Sequence, residues 1–378
     1  MVREPSLFRS SSVRAGLLMS IGLVSVFGPC LFGRSTPLRN TPQSATAGDE
    51  APEPAAKPSA QIMKAYGDAQ PYMDCALPEL KRIVPALEGL KPGKEELPLQ
   101  AILDRTGEVI QAQIPKMPNL IAAESVAQAD VTGDKKPGAG ALYNSGRGFP
   151  QAAGILQQYS LQFATDEKQL EQNLHLTLVT ETPWKNFDYL ILVRRSTGGA
   201  QTLEESRADL KAPNDKRLKR EQKILHGIGF EYLWLLFLPG NAPESNYRLL
   251  GHQKMYGQET YVVGFAQSPA RVKQPGEIDL SGETYPLLYQ GIAWIDKATF
   301  RIVRLRTDLL APLPAIQLER FSSDLRFEPI DIADLKVALW LPRQVELIWM
   351  QGGQMSGELH VYTKYSMFHA TVRVLPPA

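Results

Sequence analysis

From position 120 to 365 the sequence is a series of short segments, often rich in β-branched and aromatic residues, separated by turn residues at hairpin-like intervals. The regular alternation of strands and helices that builds a parallel sheet is missing, which disfavours a Rossmann-type or barrel α/β enzyme. Many segments are apolar on both faces, for example residues 189–193 (YLILV) and 337–341 (VALWL), so a sheet built from them needs a cover on each side. The pattern predicts a mainly β fold with flanking helices. The predicted strands are Leu120 to Gln128, Gly154 to Phe163, Phe187 to Arg195, Gln201 to Ser206, Tyr247 to Met255, Thr260 to Gln267, Gln290 to Ile295, Phe300 to Leu309, Ile316 to Phe327, Val345 to Met350 and Glu358 to Tyr365.

Residues 1–33 have the features of an export signal. Three arginines in the first 14 residues form a basic region, and the uncharged apolar segment from Ala15 to Phe27 follows it. This pattern predicts a signal peptide, with an uncleaved N-terminal membrane anchor as the alternative. Pro29 departs from the small residues that normally precede a lipidated cysteine, so Cys30 is not expected to carry lipid.

Composition divides the rest of the chain into three parts. Residues 34–60 are rich in Pro, Ala, Ser and Thr and are predicted to be an extended, disordered linker. Residues 61–98 carry apolar side chains at helical spacing, interrupted by prolines, and are predicted to form a helical N-terminal extension. Residues 99–378 are predicted to form the β domain, which begins with a helix from Leu99 to Ile114.

One segment inside the β region is apolar almost throughout. Residues 228–238 (IGFEYLWLLFL) precede Pro239 and are predicted to form a short helix, with a fully buried strand as the alternative. A helix would bring Phe230, Trp234 and Phe237 close to one face. These three side chains are the predicted ligand-binding residues, because the segment is too apolar to face water.

The chain carries little that indicates catalysis. Its net charge of +1 disfavours nucleic-acid binding, and its two cysteines are too few for a disulfide framework or a multi-thiolate metal site. The five histidines lack ligand spacing, and nucleophile-elbow and phosphate-loop motifs are missing. The sequence therefore predicts no catalytic residue, no metal site and no cofactor.

The later strands resemble a known group of proteins. A Gly-x-x-Trp-Ile-Asp-x-x-Thr-x-x-Ile-x-Arg hairpin spans residues 291–304, and with the segments around it resembles bacterial exported proteins of unknown function, frequent in acidobacteria. The same hairpin resembles the LolA/LolB-like lipoprotein-carrier fold. That resemblance implies a curved antiparallel half-barrel whose concave side is filled by plug helices and accepts acyl chains. The plugs would be the helix from Leu99 to Ile114 and residues 228–238.

Together these features predict an exported, non-enzymatic protein of the periplasm or outer membrane of a Gram-negative bacterium. Its partner would be a lipid or a lipoprotein acyl chain, bound in a concave pocket of the sheet. Two alternatives remain open. One is an envelope scaffold or interaction protein without a ligand, and the other is a hydrolase with an unrecognised site.

Overall fold

A computed structural model describes residues 60–93, 97–132, 171–195, 201–208, 236–273, 275–280, 283–333 and 335–368. Within these ranges the chain is dominated by twelve β-strands and a small number of helices. The strands are β1 (Leu120–Thr132), β2 (Lys185–Arg195), β3 (Gln201–Ala208), β4 (Ser245–Met255), β5 (Gln258–Gln267), β6 (Gly276–Leu280), β7 (Glu283–Leu287), β8 (Tyr289–Asp296), β9 (Ile302–Leu309), β10 (Leu318–Ile330), β11 (Leu339–Gln351) and β12 (Gln354–Met367).

Ten strands form one sheet in the order β3-β2-β1-β12-β11-β10-β9-β8-β5-β4. Every neighbouring pair is antiparallel, and β6 and β7 form a separate hairpin. In the described part of the chain the two outermost strands, β3 and β4, do not pair with each other, so the sheet is open. The predicted fold class, mainly β with a large antiparallel sheet and flanking helices, is confirmed.

The helices are α1 (Ala60–Gly67), α2 (Leu77–Ile83), α3 (Leu99–Gln113) and a helix over residues 171–180, called α4. The predicted helix from Leu99 to Ile114 is confirmed as α3. Among the described residues, no helix combines the length and apolar character that crossing a bilayer requires.

Most predicted strands are present, with ends shifted by a few residues. The first residue of the predicted strand, Ile316, is instead the last residue of a 3-10 helix, Pro314–Ile316, and β10 starts at Leu318. The hairpin of β6 and β7 and the helix α4 were not predicted. The predicted strand from Gly154 to Phe163 and the export signal lie outside the described residues.

The turn between β8 and β9 is held by the side chain of Asp296. One carboxylate oxygen of Asp296, Oδ2, accepts hydrogen bonds from the Thr299 backbone N–H (2.8 Å) and hydroxyl (2.6 Å). A side chain that satisfies local amides in this way stabilises a tight turn. Asp296 therefore has a structural role in this fold.

Residues that stand opposite each other in an antiparallel pair project to the same side of the sheet. The side that carries Glu124, Tyr362 and His360 is called the His360 face. The side that carries Arg306, which is opposite Asp324, is called the Arg306 face.

The Arg306 face is covered by α4 and by the N-terminal segment, residues 60–93. Leu174 and Leu178 of α4 are fully buried in an apolar cluster with Ile348. In the N-terminal segment, the Tyr72 hydroxyl donates to Asp308 Oδ2 at 3.0 Å. The two covers therefore lie on different parts of the same face.

A buried charge network joins these two covers. Arg306 donates two hydrogen bonds to Asp308, both at 3.0 Å, and Glu171 of α4 accepts from Arg320 at 3.0 Å and pairs with Arg306 at 3.5 Å. Burial alone would raise the pKa of Asp308, but Arg306 lowers it below its usual value. Because Tyr72 also bonds Asp308, the network links residues of both covers to the sheet.

Candidate functional site

An unbroken row of side chains crosses the His360 face. Each residue stands directly opposite the next on the neighbouring strand, from His360 in β12 to Val263 in β5. These side chains, including His360 at one end, are called the apolar row. Every member other than His360 is aliphatic and at most 1% exposed. The members between the two ends are Val345, Leu325, Leu305 and Ala293.

The apolar row is long enough for an extended hydrocarbon chain. Five strand spacings separate β12 from β5, which corresponds to about 24 Å. A single acyl chain spans about half of the ~30 Å hydrocarbon core of a bilayer. The row therefore exceeds the length of one acyl chain.

The described cover of this face consists of α3 and residues 236–240. Ile102 and Ile110 of α3 are buried in the same apolar cluster as the row. A Cβ added to Gly107 would lie 2.8 Å from the main-chain oxygen of Phe237, so α3 and this segment are in close contact. Phe237 in turn packs on the Phe265 ring of β5, with 5.7 Å between the ring centroids.

The C-terminal end of α3 is held by polar contacts. The Gln113 side chain donates to the Trp340 main-chain oxygen at 2.9 Å and accepts from the Trp340 backbone N–H at 3.2 Å. Earlier in the helix, Arg105 lies over the Phe300 ring, 4.9 Å from its centroid. The buried residues of α3 also include Thr106, whose hydroxyl donates within the helix to the Ile102 main-chain oxygen at 2.8 Å.

Of the three predicted ligand-binding residues, the structure describes only Phe237. Its side chain is 2% exposed and contacts the Tyr247 and Phe265 rings. Residues 236–237 are helical and Leu238 is not, while the rest of the predicted helix lies outside the described residues. Phe230 and Trp234 lie outside the described residues, so their proximity to Phe237 stays a prediction.

A compact group of buried charges lies at the β12 end of the row. Arg207 of β3 donates to both carboxylate oxygens of Glu124 in β1, at 2.6 and 2.9 Å. His360 contacts Glu124 through Nδ1 (2.9 Å) and Glu358 through Nε2 (3.1 Å). Glu124, Glu358 and His360 have no solvent exposure. These four residues are called the charge cluster.

Opposite charges fix the protonation states within the charge cluster. Burial alone would raise the pKa of Glu124, but Arg207 and His360 lower it to about 2. Burial opposes a charged imidazole, yet hydrogen bonds to Glu124 and Glu358 raise the pKa of His360 above its usual value. With a carboxylate at each ring nitrogen, His360 is best accommodated as an imidazolium that donates from both nitrogens.

This geometry is unsuited to acid–base catalysis. A general base needs a nitrogen within reach of a substrate, and both nitrogens of the buried His360 face carboxylates. Among the described residues, no group of three or more potential ligands is arranged to hold a metal ion. The hydrogen bonds of the charge cluster link β3, β1 and β12.

Two tyrosines lie beside the charge cluster on the same face. The Tyr362 and Tyr189 rings pack at 4.9 Å between centroids. The Tyr362 hydroxyl is buried and has no hydrogen-bond partner in the described part of the chain. Burial and the Glu124 carboxylate raise the pKa of Tyr362 well above its usual value, so the hydroxyl keeps its proton.

The charge cluster was not predicted from the sequence. The sequence feature that could have indicated the charge cluster is the alternation of Glu358 and His360 with apolar residues on one strand. Alternation of that kind is also typical of a strand with one wet face, and it does not point to burial. Glu124 lies 236 positions from His360, so only the pairing of β1 with β12 brings them together.

The charge cluster predicts a specific pH dependence of stability. Because folding raises the pKa of His360 above about 6.5, its contribution is complete below that pH and is lost as the pH rises through the raised value. The Glu124 contribution is complete above about pH 4.5 and is lost as the pH falls towards 2. His360→Gln should therefore lower the free energy of unfolding more at about pH 6 than at about pH 9. Each unit by which folding raises the pKa of His360 adds about 1.4 kcal/mol to this difference.

Urea unfolding of wild type and variant at both pH values measures this difference. His175→Gln is the control, because His175 pairs with Glu346 at a site where its side chain is 49% exposed. We expect its effect to be small and nearly independent of pH. Equal destabilisation by His360→Gln at the two pH values would contradict a charged His360.

Comparison with known proteins yields distant structural likenesses at low sequence identity. No protein-family profile matches the chain, and no curated protein matches it. A DUF1329 family protein from Desulfovibrio piger is 10% identical, with 71% of this chain and 93% of that chain covered and a TM-score of 0.30. A LolA superfamily protein from Nitrosomonas europaea is 11% identical, with 74% and 96% covered and a TM-score of 0.28. A domain assigned to outer membrane lipoprotein sorting, from Vibrio parahaemolyticus, is 10% identical, with 70% and 90% covered and a TM-score of 0.30. Likenesses this distant define neither a family nor an activity for this chain.

Proposed function

We propose that this chain is an exported, non-enzymatic protein of the cell envelope that binds an apolar ligand, such as a lipid acyl chain, on the His360 face. The apolar row carries the proposal. It provides a continuous aliphatic surface of sufficient length, and its described cover consists of α3 and residues 236–240. The basic and apolar segments at the N-terminus support export.

Binding requires that the cover moves, since the apolar row is buried in this conformation. The side-chain contacts of α3 are suited to such a movement, because apolar contacts lack the directionality of hydrogen bonds. Gln113 would keep the end of the helix attached to Trp340 while the earlier turns lift from the sheet. An acyl chain would then replace the apolar contacts that α3 gives up.

The burial of the row also favours a second function. Side chains that are at most 1% exposed form a filled core, and a filled core is what a scaffold or interaction protein without a ligand would have. The two functions differ in whether the row can accept a foreign apolar molecule.

Two matched variants test the proposed function. Ala293 lies in the apolar row and Ala127 lies on the Arg306 face, and each is a fully buried strand alanine. Ala293→Leu and Ala127→Leu should both destabilise the fold, by about 1–3 kcal/mol, through overpacking. Only Ala293→Leu should weaken binding of Nile red, a neutral apolar dye.

Native mass spectrometry of the protein purified from its own envelope provides a second measurement. A co-purifying lipid, together with Nile red binding that Ala293→Leu weakens, would support the carrier function. Wild-type protein that carries no lipid and binds no dye would contradict it and favour the scaffold.

A further inference from the structure

We propose that the β12 end of the apolar row recognises a neutral acyl ester or amide, whose carbonyl oxygen accepts a hydrogen bond from the Tyr362 hydroxyl. The hydrocarbon part of the ligand would lie along the apolar row. This inference rests on the proposed function and adds to it the chemical class of the ligand's head group.

The hydroxyl of Tyr362 is the first observation. The side chain has no solvent exposure, and its hydroxyl has no hydrogen-bond partner in the described part of the chain. A buried hydroxyl without a partner costs free energy, and an acceptor supplied by a ligand removes that cost. Tyr365, three residues later, shows the contrast, because its hydroxyl donates to the Pro342 main-chain oxygen at 2.7 Å.

The second observation is the position of Tyr362 at the end of the apolar row. His360 and Tyr362 are two residues apart on β12, so they project to the same face about 7 Å from each other. The row runs from His360 away across β11 to β5. A ligand whose polar group reaches Tyr362 can therefore extend its hydrocarbon along the row.

The charges around Tyr362 select a neutral head group. Arg207 is already engaged with both oxygens of Glu124, and Arg343 donates to the main-chain oxygen of Tyr362, not to its hydroxyl. Burial has the largest effect on the pKa of Tyr362 and raises it. The carboxylates of Glu124 and Glu205 also raise this pKa, whereas the guanidinium of Arg207 lowers it. Because the effect of Glu124 on the hydroxyl exceeds that of Arg207, a second negative charge is disfavoured there. A ligand carboxylate would therefore be repelled, whereas an ester or amide carbonyl would not.

Displacement of Nile red by two ligands with the same hydrocarbon chain tests the inference. Methyl laurate is a neutral ester and laurate is the corresponding anion. We expect wild-type protein to release the dye at a lower concentration of methyl laurate than of laurate. In Tyr362→Phe the affinity for methyl laurate should fall by about 2- to 12-fold, the value of one hydrogen bond, while Nile red and laurate binding stay unchanged.

Thermal unfolding of the same variants supplies a readout independent of ligand. Tyr362→Phe should leave the melting temperature unchanged or raise it, because it removes an unpaired buried hydroxyl. The matched control, Tyr365→Phe, should lower the melting temperature through its lost bond to Pro342 and keep the preference for the ester.

Three results would overturn the head-group inference. They are a wild-type preference for laurate, an unchanged methyl laurate affinity in Tyr362→Phe, and a drop in melting temperature equal to that of Tyr365→Phe. In each case Nile red binding by the wild type would leave the proposed apolar-ligand function standing. A wild-type protein that binds no Nile red would overturn both.

Discussion

Replacing Arg207 with leucine is expected to lower the free energy of unfolding by about 3–5 kcal/mol. The variant leaves Glu124, which has no solvent exposure, without the guanidinium that donates to both its oxygens. His360 would remain as its single cationic partner, shared with Glu358. Urea unfolding at constant pH measures the loss.

Two further variants separate this effect from a general loss of charge. Arg194 of β2 pairs with Glu204 of β3 at 2.7 Å, but its side chain is 59% exposed. Arg194→Leu should therefore cost less than about 1 kcal/mol. The double variant with Arg207→Leu and Glu124→Leu should regain much of the lost stability, since it leaves no uncompensated carboxylate at Glu124. An effect of Arg207→Leu no larger than that of Arg194→Leu would contradict a stabilising charge cluster.

Replacing Phe237 with alanine should cost about 3–5 kcal/mol of stability, because the ring is 2% exposed and packs on two aromatic neighbours. Its ring centroid lies 5.7 Å from those of both Tyr247 and Phe265. Truncation would open a cavity beside Phe265, whose strand neighbour Val263 ends the apolar row. We therefore expect tighter binding of Nile red together with the loss of stability.

Phe187→Ala is the matched control for this variant. Phe187 is 4% exposed and lies on the same face of the sheet, but it packs with Val126 in a separate apolar cluster. It should lose stability without a gain in dye binding. If Phe237→Ala also lost stability without any change in dye binding, Phe237 would be a fixed core residue and no part of a movable cover.

The strands of the sheet were predictable because their signal is local. The turn at Tyr256 and Gly257 between β4 and β5 requires left-handed backbone at both residues (φ 49° and 85°), and it lies between the predicted strands Tyr247 to Met255 and Thr260 to Gln267. The hairpin of β8 and β9 is closed by Asp296, which lies between the predicted strands Gln290 to Ile295 and Phe300 to Leu309. Local backbone preference and local hydrogen bonds decide such turns, so nearby residues suffice to locate them.

Helix α4 shows where local pattern was insufficient. Leu174, Leu176 and Leu178 alternate with polar residues, a spacing more typical of a strand than of a helix. In the helix, Leu174 and Leu178 are one turn apart and fully buried against the Arg306 face, while Leu176 is 58% exposed. Packing of two leucines against the sheet therefore outweighs the alternating pattern.

By itself, the sequence determined the mainly β class, the hairpin turns between β4 and β5 and between β8 and β9, and the helix α3, since each depends on residues close together in the chain. Only the tertiary structure decided which side chains meet. Arg207 and His360 lie 83 and 236 positions from Glu124, and the pairing of β3 with β2, of β2 with β1 and of β1 with β12 sets their contact. A shift of one residue in that register would turn Glu124 to the other face and separate the charges. Register is a property of the assembled sheet, because it depends on packing along every paired strand at once.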